Sequence, residues 1–226
     1  MTVVAHVLNS MGEQLEALQL YETVTAIREA ETDGDEVNTA VAQANLANTL
    51  QRLKRHAEAR PLLETVLAIF SRRLGTTHED TLKTRTRLAN CKRNLGDADG
   101  ARGDYEAVLA AMTTAIGPTH AETLKTQLNL AISYHGVGGY DRAARELEAV
   151  VDGYRATLGL RHADTLFAQA HLGNVRRLQG DAVGAVAMLE VAAPGLEAQG
   201  HFRAANAREM LEEAQGQAAA LALPEL

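Results

Sequence analysis

The feature that most constrains the fold of this chain is an internal repeat of 42 residues. Three similar segments stand at equal distances along it: LGTTHEDTLKT from Leu74, IGPTHAETLKT from Ile116 and LGLRHADTLFA from Leu158. A second motif recurs inside each period, as NLAN, RLAN, NLAI and HLGN at positions 45, 87, 129 and 171. Because the matches agree at separate offsets over four periods, the chain is built from tandem copies of one structural unit.

Each period has the pattern of two helices joined by a glycine turn. The Thr-His-x-acid element predicts the start of the first helix, with Thr77 or Thr119 as its cap and Asp80 or Glu122 three residues later. This is the spacing of a capping box, which satisfies amide groups that a helix start leaves unpaired. Apolar residues then recur at steps of three and four, and glycines mark the turn to the second helix.

The period predicts one continuous array over residues 1–226. Its parts are a partial hairpin over 1–35 (with helices at 2–10 and 13–30), full repeats over 36–77, 78–119, 120–161 and 162–200, and a closing helix within 201–226. We expect Pro194 to end or kink its helix. Eleven helices and no strand result. Since one hairpin cannot bury its apolar face alone, stacked antiparallel pairs are expected to form a right-handed superhelical solenoid with a concave surface.

Composition narrows the classes of protein that the chain can belong to. It is 46% hydrophobic but 4% aromatic and without Trp, so its core must consist of small and aliphatic side chains. A net charge of −7 argues against a nucleic-acid binder, because phosphate attraction supplies most of such affinity. Cys91 is the single cysteine, which excludes a disulfide and a cysteine-based zinc site, and an inert buried thiol is expected.

No targeting or membrane segment is expected. The start MTVVAHVLNSMGEQ has no basic stretch followed by an apolar run, so it does not resemble a secretory signal. No run of about 18 apolar residues occurs, which argues against a membrane span. Arg outnumbers Lys and Ala is abundant, a bias typical of GC-rich bacterial genomes. We therefore expect a cytoplasmic, bacterial protein.

These motifs resemble the tetratricopeptide repeat (TPR) family, in the 42-residue form found in kinesin light chains. The resemblance rests on the LG-x-x-H-x-x-T junctions, the NLA elements and HAEARPLLETVLAI from His56, and is clearest over residues 36–196. Tyr134 matches the family's aromatic residue near the end of a first helix, whereas Leu50, Lys92 and Arg176 depart from it. The resemblance implies a non-catalytic scaffold that holds an extended peptide or a partner domain, with no cofactor.

The resemblance also implies that the first helix of each hairpin lines the concave groove. The positions expected to face it hold five cations and five asparagines but no Asp or Glu, in a chain that is acidic overall. The predicted peptide-binding residues are Asn45, Asn48, Lys83, Arg87, Asn90, Arg93, Lys125, Asn129, His171, Asn174 and Arg177. The other positions expected to face the groove, which are not among the predicted binding residues, are Val41, Gln51, Ile132, His135 and Phe167.

This residue set predicts a groove for an extended acidic or C-terminal peptide. Asparagine can pair with a peptide backbone of any sequence, and Arg or Lys with carboxylates. Ordering a flexible segment offsets much of the contact energy, so micromolar affinity is expected, roughly −8 kcal/mol. The alternative is that these are ordinary solvated residues of a helix face. The single sign of their charge, and the low helix propensity of Asn, argue against that alternative.

Other motifs are interpreted as structural. His78, His120 and His162 recur one repeat apart, roughly 10 Å on the usual spacing of packed helices. That distance is too large for one metal ion, whose ligands lie about 2–2.6 Å away, so a role at the interhelix turn is expected. GVGG from Gly136 lacks a preceding strand and reads as a turn. No metal site and no catalytic residues are predicted.

Three alternatives to a scaffold stay open at this point. The first is self-association, as a homodimer for example, through an exposed apolar face of the first helix that holds Val3, Val4, Val7 and Leu8. The second is a regulatory sensor of a small peptide. The third is that the chain is one region of a larger protein, which its start in mid-pattern allows.

Overall fold

In a computed structural model, which describes residues 1–31 and 35–222, the chain is all helical. The described residues form eleven helices and no strand, as predicted. The helices are α1 (Thr2–Met11), α2 (Gln14–Ala30), α3 (Glu36–Arg52), α4 (His56–Arg73), α5 (Glu79–Asn94), α6 (Ala98–Ile116), α7 (Ala121–Gly136), α8 (Tyr140–Leu158), α9 (Ala163–Leu178), α10 (Ala182–Ala198) and α11 (Ala204–Ala222). The predicted partial hairpin is α1 with α2, and the predicted closing helix is α11.

The chain divides into two compact units, Met1–Ala111 and Met112–Leu226. In the first unit, each helix from α1 to α4 packs against the next one along the chain. In the second unit, the same holds from α7 to α10, and α11 also contacts α9. Sequential packing of this kind is expected of a repeat protein, in which each hairpin buries the apolar face of its neighbour.

The core of the first unit consists of small and aliphatic side chains around a few aromatic ones. Tyr21, Leu63 and Cys91 are almost completely buried in one cluster. Tyr105 is also buried, and its hydroxyl donates a hydrogen bond of 2.6 Å to Oδ1 of Asn90. This bond fastens α6 to α5, because a buried hydroxyl that loses its partner is costly.

In the second unit, glycines let helices approach each other closely. A side chain at Gly153 would begin 2.5 Å from the Leu124 side chain, and one at Gly195 would begin 2.6 Å from Leu166. Leu189, which is completely buried, lies against Gly173 in the same way. The small residues of the repeat therefore set the distance between neighbouring helices, since a Cβ there would enter space that leucines occupy.

Histidines cap three of the first helices, α5, α7 and α9, so the predicted caps Thr77 and Thr119 are wrong. The Nδ1 atom of His78 accepts a hydrogen bond of 3.2 Å from the backbone amide of Asp80. The same bond starts α7 at His120 and α9 at His162. A neutral imidazole carries one acceptor nitrogen, which here satisfies an amide as a Ser or Thr hydroxyl would. The expected structural role of these histidines at the turn is confirmed.

Pro194 lies inside its helix, so the expectation that it ends the helix is wrong, whereas the expected kink stays a prediction. Helix α10 continues through Pro194 to Ala198. Proline removes the hydrogen bond to the carbonyl four residues earlier, which here belongs to Glu190. Both residues are exposed, so water can satisfy that carbonyl, while the following Gly195 and Leu196 are held against the core.

The turns between helices recur at half the length of the sequence repeat. Glycines with positive φ recur every 21 residues from position 75 to position 180, once after each helix. One interval before Gly75, the same place is taken by Lys54, with φ of 61°. Among the described residues, Lys54 is the only non-glycine with positive φ. The helix–turn unit is thus the smallest repeating element of the backbone.

Candidate functional site

The first helices α3 and α5 of the first unit enclose a small pocket of about 180 Å³. Three predicted binding residues, Asn45, Lys83 and Arg87, line it together. The other lining residues are Val41, Ala44, Phe70, Asp80 and Thr84. Phe70 is buried and closes the pocket from the side of α4. The pocket therefore joins an apolar floor with an amide and two cations.

Arg87 is the most unusual group of this pocket. Its guanidinium is largely removed from water, and this burial lowers the pKa of Arg87, an effect that the charge of Asp80 partly opposes. No residue in the described part of the chain forms an ion pair with Arg87. Its backbone carbonyl accepts a hydrogen bond of 2.7 Å from Nε2 of Gln51, which joins α3 to α5. A cation that is desolvated but not ion-paired can gain from contact with a carboxylate.

The lysines of the predicted set are partly neutralised by their own helices. Lys83 lies 2.5 Å from a carboxylate oxygen of Glu79, and Lys125 lies 4.0 Å from one of Glu122. Asp80, which sequence reasoning missed, lines the pocket beside Lys83. Its position seven residues before Arg87 places both on one side of α5, so helical spacing could have identified it. Glu79 and Asp80 therefore make the net positive charge at the pocket smaller than the predicted residues alone would give it.

The asparagines of the set have different environments. The side chains of Asn45, Asn48 and Asn129 are half-buried and make no hydrogen bond to any described residue. Asn90 instead accepts the hydroxyl of Tyr105, so its carboxamide oxygen is occupied. Three of the predicted amides are therefore free to pair with a ligand, whereas Asn90 also serves the packing of α6.

Arg93 is not among the residues that line the pocket. The charge of Arg93 lowers the pKa of His56, although burial of that imidazole is the larger cause. The buried Nη1 of Arg93 has no hydrogen-bond partner among the described residues. Burial raises the pKa of Tyr105 to about 12, and the charge of Arg93 opposes this rise. Arg93 thus acts on residues of α4 and α6 rather than on the pocket.

In the second unit, Asn174 and Arg177 belong to a polar cluster that α11 completes. Both Nε and Nη2 of Arg177 donate to Oδ1 of Asn174, at 3.1 and 3.0 Å. An ion pair of 2.7 Å also joins Arg177 to Glu213 of α11. Nδ2 of Asn174 lies 3.4 Å from His135, whose pKa is lowered by burial and then by the charge of Arg177.

Helix α11 and the residues before it also cover the aromatic part of this face. The guanidinium of Arg203 stacks 3.9 Å above the ring of Phe167. The ring of His171 meets Phe167 edge-on at 4.5 Å. The predicted positions of α9 are therefore occupied by contacts within the chain, unlike the side chains of Asn45 and Arg87 in the pocket between α3 and α5.

Three further features bear on function: possible metal ligands, the single cysteine and the apolar character of the helices. Within residues 1–31 and 35–222, no three His, Cys, Asp or Glu side chains come together as a metal site would require. Cys91 is buried, which raises the pKa of its thiol, and it accepts a hydrogen bond of 3.0 Å from Gln51. None of the described helices combines the length and the apolar character needed to cross a membrane.

Comparison with known proteins gives a consistent result. A model of the tetratricopeptide repeat family matches residues 1–72, 38–93 and 80–156. A point variant of a Podosopora anserina protein with nearly identical, kinesin light chain-type TPR-like repeats is 28% identical; the alignment covers 88% of this chain and 93% of that one, with a TM-score of 0.75.

Two more distant structures share the fold. BtubC (BKLC) from P. vanneervenii is 22% identical over 89% of this chain and 80% of its own, with a TM-score of 0.74. The apo form of RapI is 13% identical over 88% and 69%, also with a TM-score of 0.74. No curated protein sequence is significantly similar to the chain. The predicted fold class of stacked, TPR-like helix pairs is confirmed.

Proposed function

Because the chain belongs to the tetratricopeptide repeat family, whose members generally mediate protein–protein interactions, we propose that it is a non-catalytic scaffold for an extended peptide. The peptide carries acidic side chains or a free C-terminal carboxylate. It binds along the first-helix face, with the pocket between α3 and α5 as its main contact. We place it in the cytoplasm of a bacterium, because its Arg- and Ala-rich composition is typical of GC-rich bacterial genomes and cytoplasmic is the default location.

The state of Arg87 is the observation that carries this proposal. The chain places a partly desolvated guanidinium in a pocket and supplies no ion pair for it among the described residues. A carboxylate of a ligand would form charge-assisted hydrogen bonds with this guanidinium, and these would offset part of the free energy that its desolvation costs. Asp80 lines the same pocket, and its negative charge balances part of the positive charge there.

Asparagine side chains near the pocket supply contacts that do not depend on the sequence of the bound peptide. Asn45 and Asn48 lie on α3, and each has a donor and an acceptor without a partner among the described residues. Such groups can pair with the amide and carbonyl of a peptide backbone. In the second unit, Asn129 on α7 has the same freedom and Lys125 stands one turn before it. The chemistry of the first-helix face is therefore present in both units.

Self-association is a second candidate function, favoured by the surface of α1. Val3 and Val4 are 76% and 55% exposed, and Met11 is 71% exposed. An apolar stripe of this kind on a helix is a common contact surface. Light scattering over a range of protein concentrations tests it, since a monomer mass at every concentration would remove this candidate.

Peptide selection tests the main proposal. Random peptides with free or amidated C-termini are presented to the wild-type chain, to Arg87→Gln and to the control Arg52→Gln, which changes an exposed arginine of α3. We expect the wild type and the control to select acidic or free-ended peptides, and Arg87→Gln to bind them about tenfold more weakly, a change of about 1.4 kcal/mol. Equal selection by all three proteins, with helix content preserved in each, would contradict the proposal.

A further inference from the structure

A larger groove, of about 970 Å³, lies in the second unit between α8 and α10, with α9 as its floor. The residues of α9 that line it are Leu166, Gln169, Leu172 and Arg176. At 100° per residue, they lie on the opposite side of α9 from Phe167 and Asn174, which are covered by α11 and its neighbours. The groove is thus a surface distinct from the first-helix face.

The walls and floor of this groove are largely apolar. Val151, Leu172 and Met188 contribute to the interior, and two large apolar side chains stand at its rim without cover. These are Val191 and Leu160, which are 56% and 63% exposed. Single exposed apolar residues are ordinary on a protein surface, but here they border one concave apolar surface, which is typical of a binding site.

The charges around the groove leave one cation without a counterion. Glu148 pairs with Arg176 at 3.0 Å and Asp152 pairs with Arg155 at 3.5 Å. No residue in the described ranges forms an ion pair with Arg161, which lies near the end of α8. The groove therefore combines an apolar floor with unbalanced positive charge at one end.

The size and charge of this groove fit a short helix. Its lining residues on α10 run from Met188 to Ala198, which corresponds to about 15 Å of helix axis, or about three turns. A helix with apolar residues at i, i+3 or i+4, i+7 and i+10 or i+11 presents a stripe of this length. Acidic residues in its last turn, together with the negative end of its dipole, would lie at Arg161.

We propose that the groove between α8 and α10 binds an amphipathic helix of a partner protein, with its acidic C-terminal turn at Arg161. A second copy of the chain fits less well. The exposed apolar stripe of α1 belongs to a helix without Asp or Glu, so docking it here would leave Arg161 unpaired. The inference is independent of the peptide site, since no residue is shared between the two surfaces.

Two synthetic helices of about 14 residues serve as probes of the groove. Both carry the same leucine stripe, and their last turns contain either Glu or Lys. The full chain is labelled at its methionine methyl groups, because Met188 lines the groove whereas Met112 and Met210 are buried elsewhere. We expect the Glu-ended probe to shift the Met188 signal and to leave the signals of the other two unchanged.

Matched variants make this test specific. Val191→Glu places a charge at the rim, and Val183→Glu makes the same change at a 72% exposed site of the same helix that does not line the groove. We expect Val191→Glu to weaken binding of the Glu-ended probe at least about tenfold and Val183→Glu to leave it unchanged. Arg161→Glu should reverse the preference between the two probes, because the charge that selects the acidic turn is then inverted.

Several results would overturn the proposal. One is a Met188 signal that stays constant at millimolar probe, and another is equal binding by Val191→Glu and Val183→Glu. A third is a Met188 shift that depends on protein concentration without any probe, which would assign the groove to a second copy. Because Arg87→Gln does not alter this groove, failure here and failure of the peptide site are separate outcomes.

Discussion

The turn at Lys54 provides a direct test of how the backbone repeat is stabilised. Lys54 takes a position with φ of 61° that is glycine in the six following turns of the chain. An L-residue in the left-handed region costs roughly 1–2 kcal/mol, because its Cβ approaches the following carbonyl. Glycine avoids this cost but loses roughly 0.5–1 kcal/mol through the greater freedom of the unfolded chain. We expect Lys54→Gly to raise the free energy of unfolding by about 0.5–1 kcal/mol.

The side chain of Lys54 contributes little that would offset this gain. It is exposed and forms no ion pair with any residue that the structure describes. Its charge does contribute to lowering the pKa of the neighbouring His56, after burial and Arg93. Measurements at about pH 8 remove this contribution, because an ordinary histidine with a pKa of about 6.5 is then neutral whether folded or unfolded.

Urea unfolding followed by circular dichroism measures the effect. Lys54→Ala is the matched control, since it removes the same side chain but retains a Cβ, and it should gain nothing. Gly96→Ala makes the reverse change in the same unit, and a Cβ there would have no neighbour within 4 Å, so only the backbone cost of about 1 kcal/mol is expected. If Lys54→Gly were no more stable than Lys54→Ala, strain at this turn would be refuted.

Three further predictions concern the second unit. Leu189→Ala should cost about 2–5 kcal/mol in urea unfolding, because this side chain is fully buried, whereas Val183→Ala in the same helix should cost less than about 0.5 kcal/mol. Burial, and then the charge of Arg177, lower the pKa of His135, so the unfolded chain binds a proton at a higher pH than the folded chain does. The free energy of unfolding should therefore fall as the pH drops below about 6.5. His135→Gln should reduce the slope of unfolding free energy against pH, and an unchanged slope would contradict the argument. Glu213→Gln should increase amide exchange in α11, since it removes the ion pair that joins α11 to α9.

The helices can be predicted from the sequence because their signals are local. A glycine every half-repeat and an apolar residue every third or fourth position define a helix without knowledge of its partner. The sequence predicts the helix start one residue early, since threonine is the commoner cap and stands directly before His78. Which of the two side chains reaches the amide of Asp80 depends on the path of the turn, and sequence spacing allows both.

Parts of the candidate site can be predicted for the same reason, and other parts cannot. The pairing of Lys83 with Glu79 follows from a separation of four residues on one helix, so the sequence alone contains it. The partner of Arg177 is Glu213, 36 positions later, and no helical rule connects them. The burial of Arg87 is also a tertiary effect, because residues of α3, α4 and α5 together line the pocket in which it lies.

Repeat-equivalent asparagines do not have equivalent roles, and this leads to a final prediction. Asn48 and Asn90 occupy the same place in successive repeats, but the side chain of Asn48 makes no hydrogen bond to any described residue, whereas that of Asn90 accepts a hydrogen bond from the hydroxyl of Tyr105. Asn90→Ala should therefore cost about 1–3 kcal/mol, because it leaves that buried hydroxyl unpaired. Asn48→Ala should keep or slightly raise stability, since alanine is the better helix former, and should weaken only the binding of selected peptides. If both variants lost the same stability, the distinction between a packing amide and a binding amide would be wrong.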